Sequence, residues 1–255
     1  MRIVLISDIH ANLAALDAVL ADIDRRGDFD AVYHAGDLVG YSSSPNEVVA
    51  RLRERGIAGV AGNYDSTVAT DYAHCGCRSE GPRQEALATL SYDYTRRTVT
   101  AETKRALGAL PFSLDVRPLG GHAAGPRLVI VHGTPTLNTV YWTADRSDDF
   151  CRKMAAMVAL KAGDVIAFGH THKPWYRVVD GMHFVNTGSV GRPKDGDWRA
   201  GYVRLELGQR DPGVDVVRVD YDIDATIAGI RAAGLPEEFA EFLRMGGETP
   251  ADARV

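Results

Sequence analysis

Seven polar side chains of this 255-residue chain stand at the ends of short apolar runs: Asp8 and His10, Asp37, Asn63, His132, and His170 with His172. Carboxylate, amide and imidazole groups are the donors that borderline divalent cations take, and strand ends are where such donors can converge. The pattern reads as a two-metal hydrolase. Two ions about 3.5–4 Å apart repel each other unless an anion lies between them, so such a site needs a shared carboxylate and several donors for each ion. Asp37 is the candidate bridge; Asp8, His10 and His172 would complete one site, and Asn63, His132 and His170 the other. Asn63 is neutral, which lowers the negative charge of the cage and leaves room for a hydroxide and a phosphate. Asp8 and His10 are one residue apart, as are His170 and His172, so each pair can point to one side of an extended or turning backbone.

The elements that must position these donors follow from the apolar pattern. Ile3 to Ile6 reads as a short buried strand, and Asn12 to Ile23 as a helix with Leu13, Leu16, Val19, Leu20 and Ile23 on one stripe. The run from Ala31 to Ala35 delivers Gly36-Asp37; after a helix begun by Pro45, Ile57 to Ala61 delivers Gly62-Asn63. Leu128 to Val131 precedes His132, and Val165 to Phe168 precedes Gly169-His170, which repeats the logic of the first half. In a mainly parallel sheet the carboxyl ends share one edge, so residues far apart in sequence can meet there. Trp175 to Val179 and His183 to Val185, joined through Asp180-Gly181, read as a hairpin. Tyr202 to Leu207 and Val214 to Val219 read as two more strands and argue for a second sheet. Ser66 to Leu110 is helical and more polar, a cap-like insertion with Glu85 to Arg97 its clearest segment. Ile223 to Arg244 is amphipathic enough to dock as helices, and residues 246–255 read as a frayed tail on a single domain over 1–245. Gly36, Gly62, Gly133 and Gly169 each adjoin a proposed ligand, where a residue without Cβ lets the backbone turn sharply or approach an ion.

The ordered set D-x-H, GD, GN, H-G and GH-x-H, together with the stretch from Asn186 to Gly191, resembles the calcineurin-like metallophosphoesterase family, and within it the small bacterial single-domain branch. The resemblance covers roughly the first three quarters of the chain. It implies an α/β fold, a four-layer αββα sandwich of two packed mixed sheets flanked by helices. It also implies two divalent metal ions and hydrolysis of a phosphate ester. The expected nucleophile is a hydroxide shared by the two ions, attacking phosphorus in line while the ions hold the nonbridging oxygens.

One position departs from the family pattern. Members with full phosphatase activity usually follow Gly-Asn with His-Asp, whereas this chain has Tyr64-Asp65 after Gly62-Asn63. The missing His is credited with protonating the leaving oxygen, a role worth about 10²–10⁴ in rate. Tyr64 could donate instead or could simply pack, and an unperturbed phenol with a pKa near about 10 is a poor acid at neutral pH. His74, in the polar loop 71–77, is a second candidate to replace the absent acid. His34 reads as a buried core residue, and His122 and His183 as loop and hairpin positions. Cys75-Gly76-Cys77 lacks the spacing and the second pair of a thiolate zinc site. Asn12 and the turn 186–191, with Asn186 and Ser189, are candidates for holding a phosphate oxygen; Arg192 and Lys194 read as solvent-exposed.

Composition limits the partners. A net charge of −5 gives no general attraction to polymeric nucleic acid. The longest apolar runs are broken well short of membrane-spanning length, and Met1 to Ile6 leads straight into Ser7-Asp8 without a cleavage pattern, so a cytoplasmic protein is expected. Three cysteines form no even-numbered secreted framework, which points to a reducing compartment. The expected activity is a phosphodiesterase on small molecules or nucleotides, since weak acid assistance favours acidic leaving groups. A phosphomonoesterase is the close competitor, and a non-catalytic interaction scaffold on the same fold is disfavoured because all seven donors remain. The donor types admit manganese, iron, zinc or nickel. No heptad repeat or exposed apolar stripe announces an oligomer interface.

Overall fold

Strand β1 (Arg2–Ile6) sends its buried side chains alternately into two different cores, and that alternation fixes the architecture. Ile3 and Leu5 join Leu128, Ile130, Val165, Ala167 and Val185 in one apolar layer, while Val4 and Ile6 join Leu16, Val19, Val48 and Leu52 in another. The same period of two recurs in β5 (Leu128–Ile130) and β6 (Val165–Phe168). Their residues Leu128, Ile130, Val165 and Ala167 face the first layer, whereas Val129, Ile166 and Phe168 pack with Trp142, Cys151 and Ala155. Sheets buried on both faces require two packed sheets with helices outside them.

The computed structural model describes residues 1–77, 81–118, 126–208 and 212–247. The first sheet has the order β10-β9-β1-β2-β3, with β2 (Ala31–His34), β3 (Ala58–Gly59), β9 (Ala200–Glu206) and β10 (Gly213–Val219). The second has the order β4-β5-β6-β8-β7, with β4 (Leu114–Val116), β7 (Trp175–Val179) and β8 (Met182–Asn186). In each sheet a parallel centre is extended by antiparallel strands: β1-β2-β3 and β5-β6-β8 run parallel, and β9, β10, β4 and β7 pair antiparallel. The fold is thus the expected sandwich of two mixed sheets flanked by helices. Sequence reading places the strands at 202–207 and 214–219 in a second sheet. They lie in the first, because β9 pairs with the edge of β1 that β2 leaves open.

Helix α1 (Leu13–Arg26) starts where Asn12 accepts the Ala15 N–H and stops at Gly27, whose φ of 65° is the left-handed turn that ends helices. Helix α2 (Pro45–Glu54) begins with proline at its first turn. Helices α3 (Asn63–Ala69), α4 (Pro82–Thr98) and α5 (Ala101–Gly108) occupy the segment read as a cap; Val68, Tyr92 and Leu107 bury into the same layer as α1 and α2. Helix α6 (Asp148–Met157), which the apolar pattern did not reveal, covers the second sheet, capped by Ser147. Helices α7 (Ile223–Ala232) and α8 (Glu237–Arg244) pack through Ile230, Phe239 and Leu243 against Tyr41. Gly246 and Gly247, expected to begin a frayed tail, bond to Leu243 and Phe242 carbonyls, and the Gly246 carbonyl accepts the Gly196 N–H. Residues 248–255 lie outside the described residues, as does His122. Among the described residues no helix is long and apolar enough to cross a membrane.

Leu5 sits fully buried between the sheets. Leu5→Ala is expected to lower stability by about 2–5 kcal/mol, the cost of a core cavity, read as a shift in the urea unfolding midpoint. A shift corresponding to less than about 1 kcal/mol would mean the sheets can close over the gap.

Candidate metal centre

The carboxyl ends of β1, β2 and β3 in one sheet meet those of β5 and β6 in the other, and every proposed donor lies at that seam. Asp8 and His10 follow β1, Asp37 follows β2, Asn63 opens α3 just after β3, His132 follows β5, and His170 and His172 follow β6. All seven are buried. Asp8, His10 and His172 form one cluster and Asp37, His132 and His170 another, each with its donor atoms within 4.8 Å of one another. Asn63 Oδ1 lies 3.1 Å from His132 Nε2. The grouping is the one expected from sequence.

Backbone contacts aim the imidazoles. His10 Nδ1 meets the Val39 carbonyl at 3.0 Å, His132 Nδ1 that of Ala35 at 2.8 Å, and His172 Nδ1 that of Arg192 at 2.6 Å. A ring whose Nδ1–H donates to a carbonyl presents a bare Nε2 lone pair, and these face the cage. Nε2 of His10 comes within 3.1 Å of Nε2 of His172, and Nε2 of His132 within 3.2 Å of Nδ1 of His170. Paired lone pairs repel unless a cation lies between them. Asp8 Oδ1, 3.3 Å from His172 Nε2, and His170 Nε2 have no hydrogen-bond partner although buried. A buried polar atom without a partner is costly, and a cation relieves that cost at Asp8. The donor set therefore fits divalent metal.

The carboxylates are held with equal care. Asp8 Oδ2 accepts from Ser7 Oγ at 2.6 Å and from the His170 N–H at 3.0 Å. Asp37 Oδ1 accepts the Tyr64 N–H at 2.9 Å, which leaves Oδ2 3.7 Å from His10 Nε2 and 3.5 Å from His132 Nε2, between the two clusters. Five of the donors, Asp8, His10, Asp37, His170 and His172, have positive φ, a conformation uncommon outside glycine and concentrated at functional sites. A Cβ on Gly62 would strike Asp37, and one on Gly169 would strike Ser7 and Asp8, so these two glycines answer to close approach.

Other candidates fall elsewhere. Tyr64 is buried, its ring 5.7 Å from that of His10 and its hydroxyl 3.2 Å from Ser91 Oγ, and burial pushes its pKa well above the usual phenol value. His74 is exposed, with Nδ1 accepting the Gly76 N–H and its ring against Tyr72. Asp65 holds the backbone, accepting the Leu38 and Gly62 N–H groups at 2.9 Å each. Asn12 is spent on Ala15, Thr226 and the Gly191 carbonyl rather than on a phosphate. Asn186 bonds the Gly169 carbonyl, and Ser189 that of Asp8, so the turn 186–191 braces the donor loops. His34 is a buried core residue, and His183 Nδ1 lies 2.7 Å from the Tyr176 hydroxyl. Cys75 and Cys77 pair as a disulfide, so the reducing-compartment reading of the cysteines gains nothing from them; the Cys75 carbonyl receives the Asn63 amide at 2.9 Å. Tyr41, whose ring is 5.0 Å from that of His10, and Tyr141, 4.2 Å from His170, also border the cage and lie in no sequence fragment of the motif set.

Burial opposes a charge on His132, yet Asp37 and Asp8 outweigh it and hold the imidazole up at about 9. Burial lowers His10 and His170 to about 3 and raises Asp8 to about 7. For Asp37 burial acts upward, but His132, His10 and His170 keep the carboxyl below its ordinary range. A ligating imidazole must be neutral. Metal-stripped protein must therefore lose the His132 proton on binding a cation, so affinity should rise with pH until about 9. Calorimetry near neutral pH in buffers of different ionisation enthalpy should detect about one to one and a half protons released per protein, the whole proton of His132 and about half of one from Asp8; none released would count against His132 as a ligand. Gly169→Ala should push Asp8 aside and lower metal content, with about 1–3 kcal/mol lost from overpacking; unchanged metal content and stability would show that Ser7 and Asp8 can yield.

Comparison with known proteins agrees with this geometry. An uncharacterised protein of Methanocaldococcus jannaschii is 31% identical over 265 residues, covering 96% of this chain and 98% of its own length. A metallophosphoesterase from Sphaerobacter thermophilus superposes with a TM-score of 0.74 at 29% identity, covering 96% of this chain and 99% of that one. A hypothetical protein from Pyrococcus horikoshii OT3 shares the fold with a TM-score of 0.79 at 19% identity, over 97% and 99% of the two chains. The model of the calcineurin-like phosphoesterase superfamily domain matches residues 1–210. With that domain spanning most of its length and its donors gathered at one seam, the chain belongs to the calcineurin-like phosphoesterase superfamily.

Proposed function

We propose that this protein is a binuclear metal-dependent phosphodiesterase acting on small molecules or nucleotides. Asp8, His10 and His172 would hold one divalent ion, Asn63, His132 and His170 the other, and Asp37 would serve both. The observation that carries this reading is the position of Asp37 Oδ2, 3.7 Å from His10 Nε2 and 3.5 Å from His132 Nε2, where a single oxygen can serve two ions. Manganese, iron, zinc and nickel all suit these donors, and a bound pair supplies a nucleophile at neutral pH and neutralises the phosphoryl oxygens.

The chain's own residues then set the preference among esters. The Val39, Ala35 and Arg192 carbonyls keep three imidazoles turned inward, and Ser7 with the His170 N–H fixes Asp8, so the donors stand ready without rearrangement. Tyr64 is tied to Ser91 and His74 is exposed, so neither of the two candidate acids is held ready to protonate a departing alkoxide. Diesters whose leaving oxygen is already acidic lose least from that. The net charge of −5 favours small substrates over polymeric nucleic acid.

The test is hydrolysis of bis(p-nitrophenyl) phosphate and p-nitrophenyl phosphate with manganese, nickel and zinc supplied in turn, alongside metal analysis. The diester is expected to be the better substrate. Asp37→Ala should lower turnover at least about a thousandfold and reduce bound metal, whereas Tyr64→Phe should keep its metal and stay within about threefold of the parent rate. Preferred monoester turnover would reverse the ester preference, and a metal-free, inert parent protein would leave a scaffold.

A further inference from the structure

Arg192 follows the turn that braces Asp8, and sequence reading leaves it in solvent. Instead its guanidinium carbon lies 3.9 Å from the centre of the Tyr41 ring and 3.7 Å from that of Phe242, so the group is held between two aromatic faces. Tyr41 itself packs on His10, and Phe242 is carried by α8. Among the described residues no carboxylate comes within ion-pair distance of Arg192 and no acceptor takes its side-chain N–H groups. By contrast, Arg127, Arg152, Arg199, Arg218 and Arg231 each have an acidic partner. The residue is only partly exposed, and its charge acts on His10 and His172 of the cage and on Tyr141 at its border. A cation fixed in orientation, short of water, lacking a counter-ion and adjoining a phosphate-binding centre is complementary to an anion brought by the substrate.

The leaving group supplies the reason for that anion. With Tyr64 buried on Ser91 and His74 exposed, neither candidate acid serves the leaving group, which favours a departing oxygen that is stable as an anion. A phosphate meets that condition, and the planar guanidinium fork matches two of its oxygens. We infer that Arg192, clamped by Tyr41 and Phe242, is a second-phosphoryl subsite, and that the preferred substrates are small phosphoanhydrides. This inference rests on the phosphodiesterase reading above and narrows it. In the reaction, water adds across the P–O–P linkage. A new P–O bond forms, the bond from the same phosphorus to the bridging oxygen breaks, that oxygen keeps the electron pair, and the protons of water pass to the products or to solvent. Arg192 holds the phosphoryl group that departs.

The test reads binding and needs no turnover. Manganese-loaded protein is titrated calorimetrically with methylenediphosphonate, which carries two phosphoryl groups, and with methylphosphonate, which carries one. The parent protein is expected to prefer the diphosphonate by at least about tenfold, and Arg192→Gln to lose that preference with its metal content unchanged. Arg192→Lys, which keeps the charge and loses the fork, should retain part of it. Phe242→Leu should weaken it by loosening the clamp while leaving the guanidinium in place. Equal binding of the two ligands by the parent protein overturns the inference, and so does a preference that survives in Arg192→Gln, since the metal ions alone would then account for it. Failure of the phosphoesterase reading would appear separately, as absent turnover in the ester assay.

Discussion

Among the hydrogen bonds that join the two sheets at the donor cage, one fixes the rest: the Asp8 carboxylate, at the end of the first sheet's central strand, accepts the N–H of His170 at the end of the second sheet's. Both groups are buried, so water does not compete for either, and the bond is correspondingly strong. The contact is short because Gly169 carries no Cβ where Ser7 and Asp8 press against it. Since Asp8 Oδ2 is occupied by this bond and by Ser7, Oδ1 alone is left to face His172. The sandwich thus fixes which oxygen is available to a cation, and the distance between the sheets becomes the width of the cage.

The same seam explains the unusual backbone. A strand that must end, reverse and still present residues i and i+2 to one cavity has little room for extended geometry, and Asp8, His10, His170 and His172 all adopt left-handed φ. Such residues cost of order 1–3 kcal/mol each, so they persist only where the surroundings over-determine them. Here the surroundings are backbone bonds from Asp8 to Gly36, from His10 to Asp37, from Ala11 to Leu38 and from Gly191 to Asp8. Strain and support lie in the same loops. Stability is given up locally so that the donors need not reorganise when charge arrives.

How much of this could be read from the sequence follows from the range of each signal. Strand ends were legible because an apolar run and the Gly or Asp that stops it are neighbours in the chain, and parallel strands bring such ends to one edge. The grouping of Asp8 with His10 and His172, and of Asp37 with His132 and His170, follows from the same logic. The sheet to which β9 and β10 belong was not legible, since nothing within residues 200–219 records that β1 has a free edge. His74 and Tyr64 show the converse limit. Both sit near Asn63 in sequence, yet one faces solvent and the other is locked onto Ser91, because proximity along the chain does not fix where a side chain points. The partial burial of Arg192 is hidden from the sequence because arginine in a Gly-Pro loop is usually exposed, and the two rings that enclose it come from residues 41 and 242.

Arg192 also shows how the outer helices are connected to the cage. Its carbonyl receives Nδ1 of His172, which sets the tautomer that turns Nε2 toward the cage, while its side chain is gripped by Phe242 of α8 and by Tyr41, itself packed on Phe239 of the same helix. A displacement of α8 therefore cannot be confined to the surface. It would loosen the guanidinium through Phe242, shift Tyr41 against His10, and bear on the carbonyl that orients His172. The amphipathic face that docks α7 and α8 onto the body through Ile230, Phe239 and Leu243 thereby does more than bury apolar area. It also keeps Tyr41 and the Arg192 loop in place beside His10 and His172, so sequence changes in α8 can bear on the donors without touching a single one.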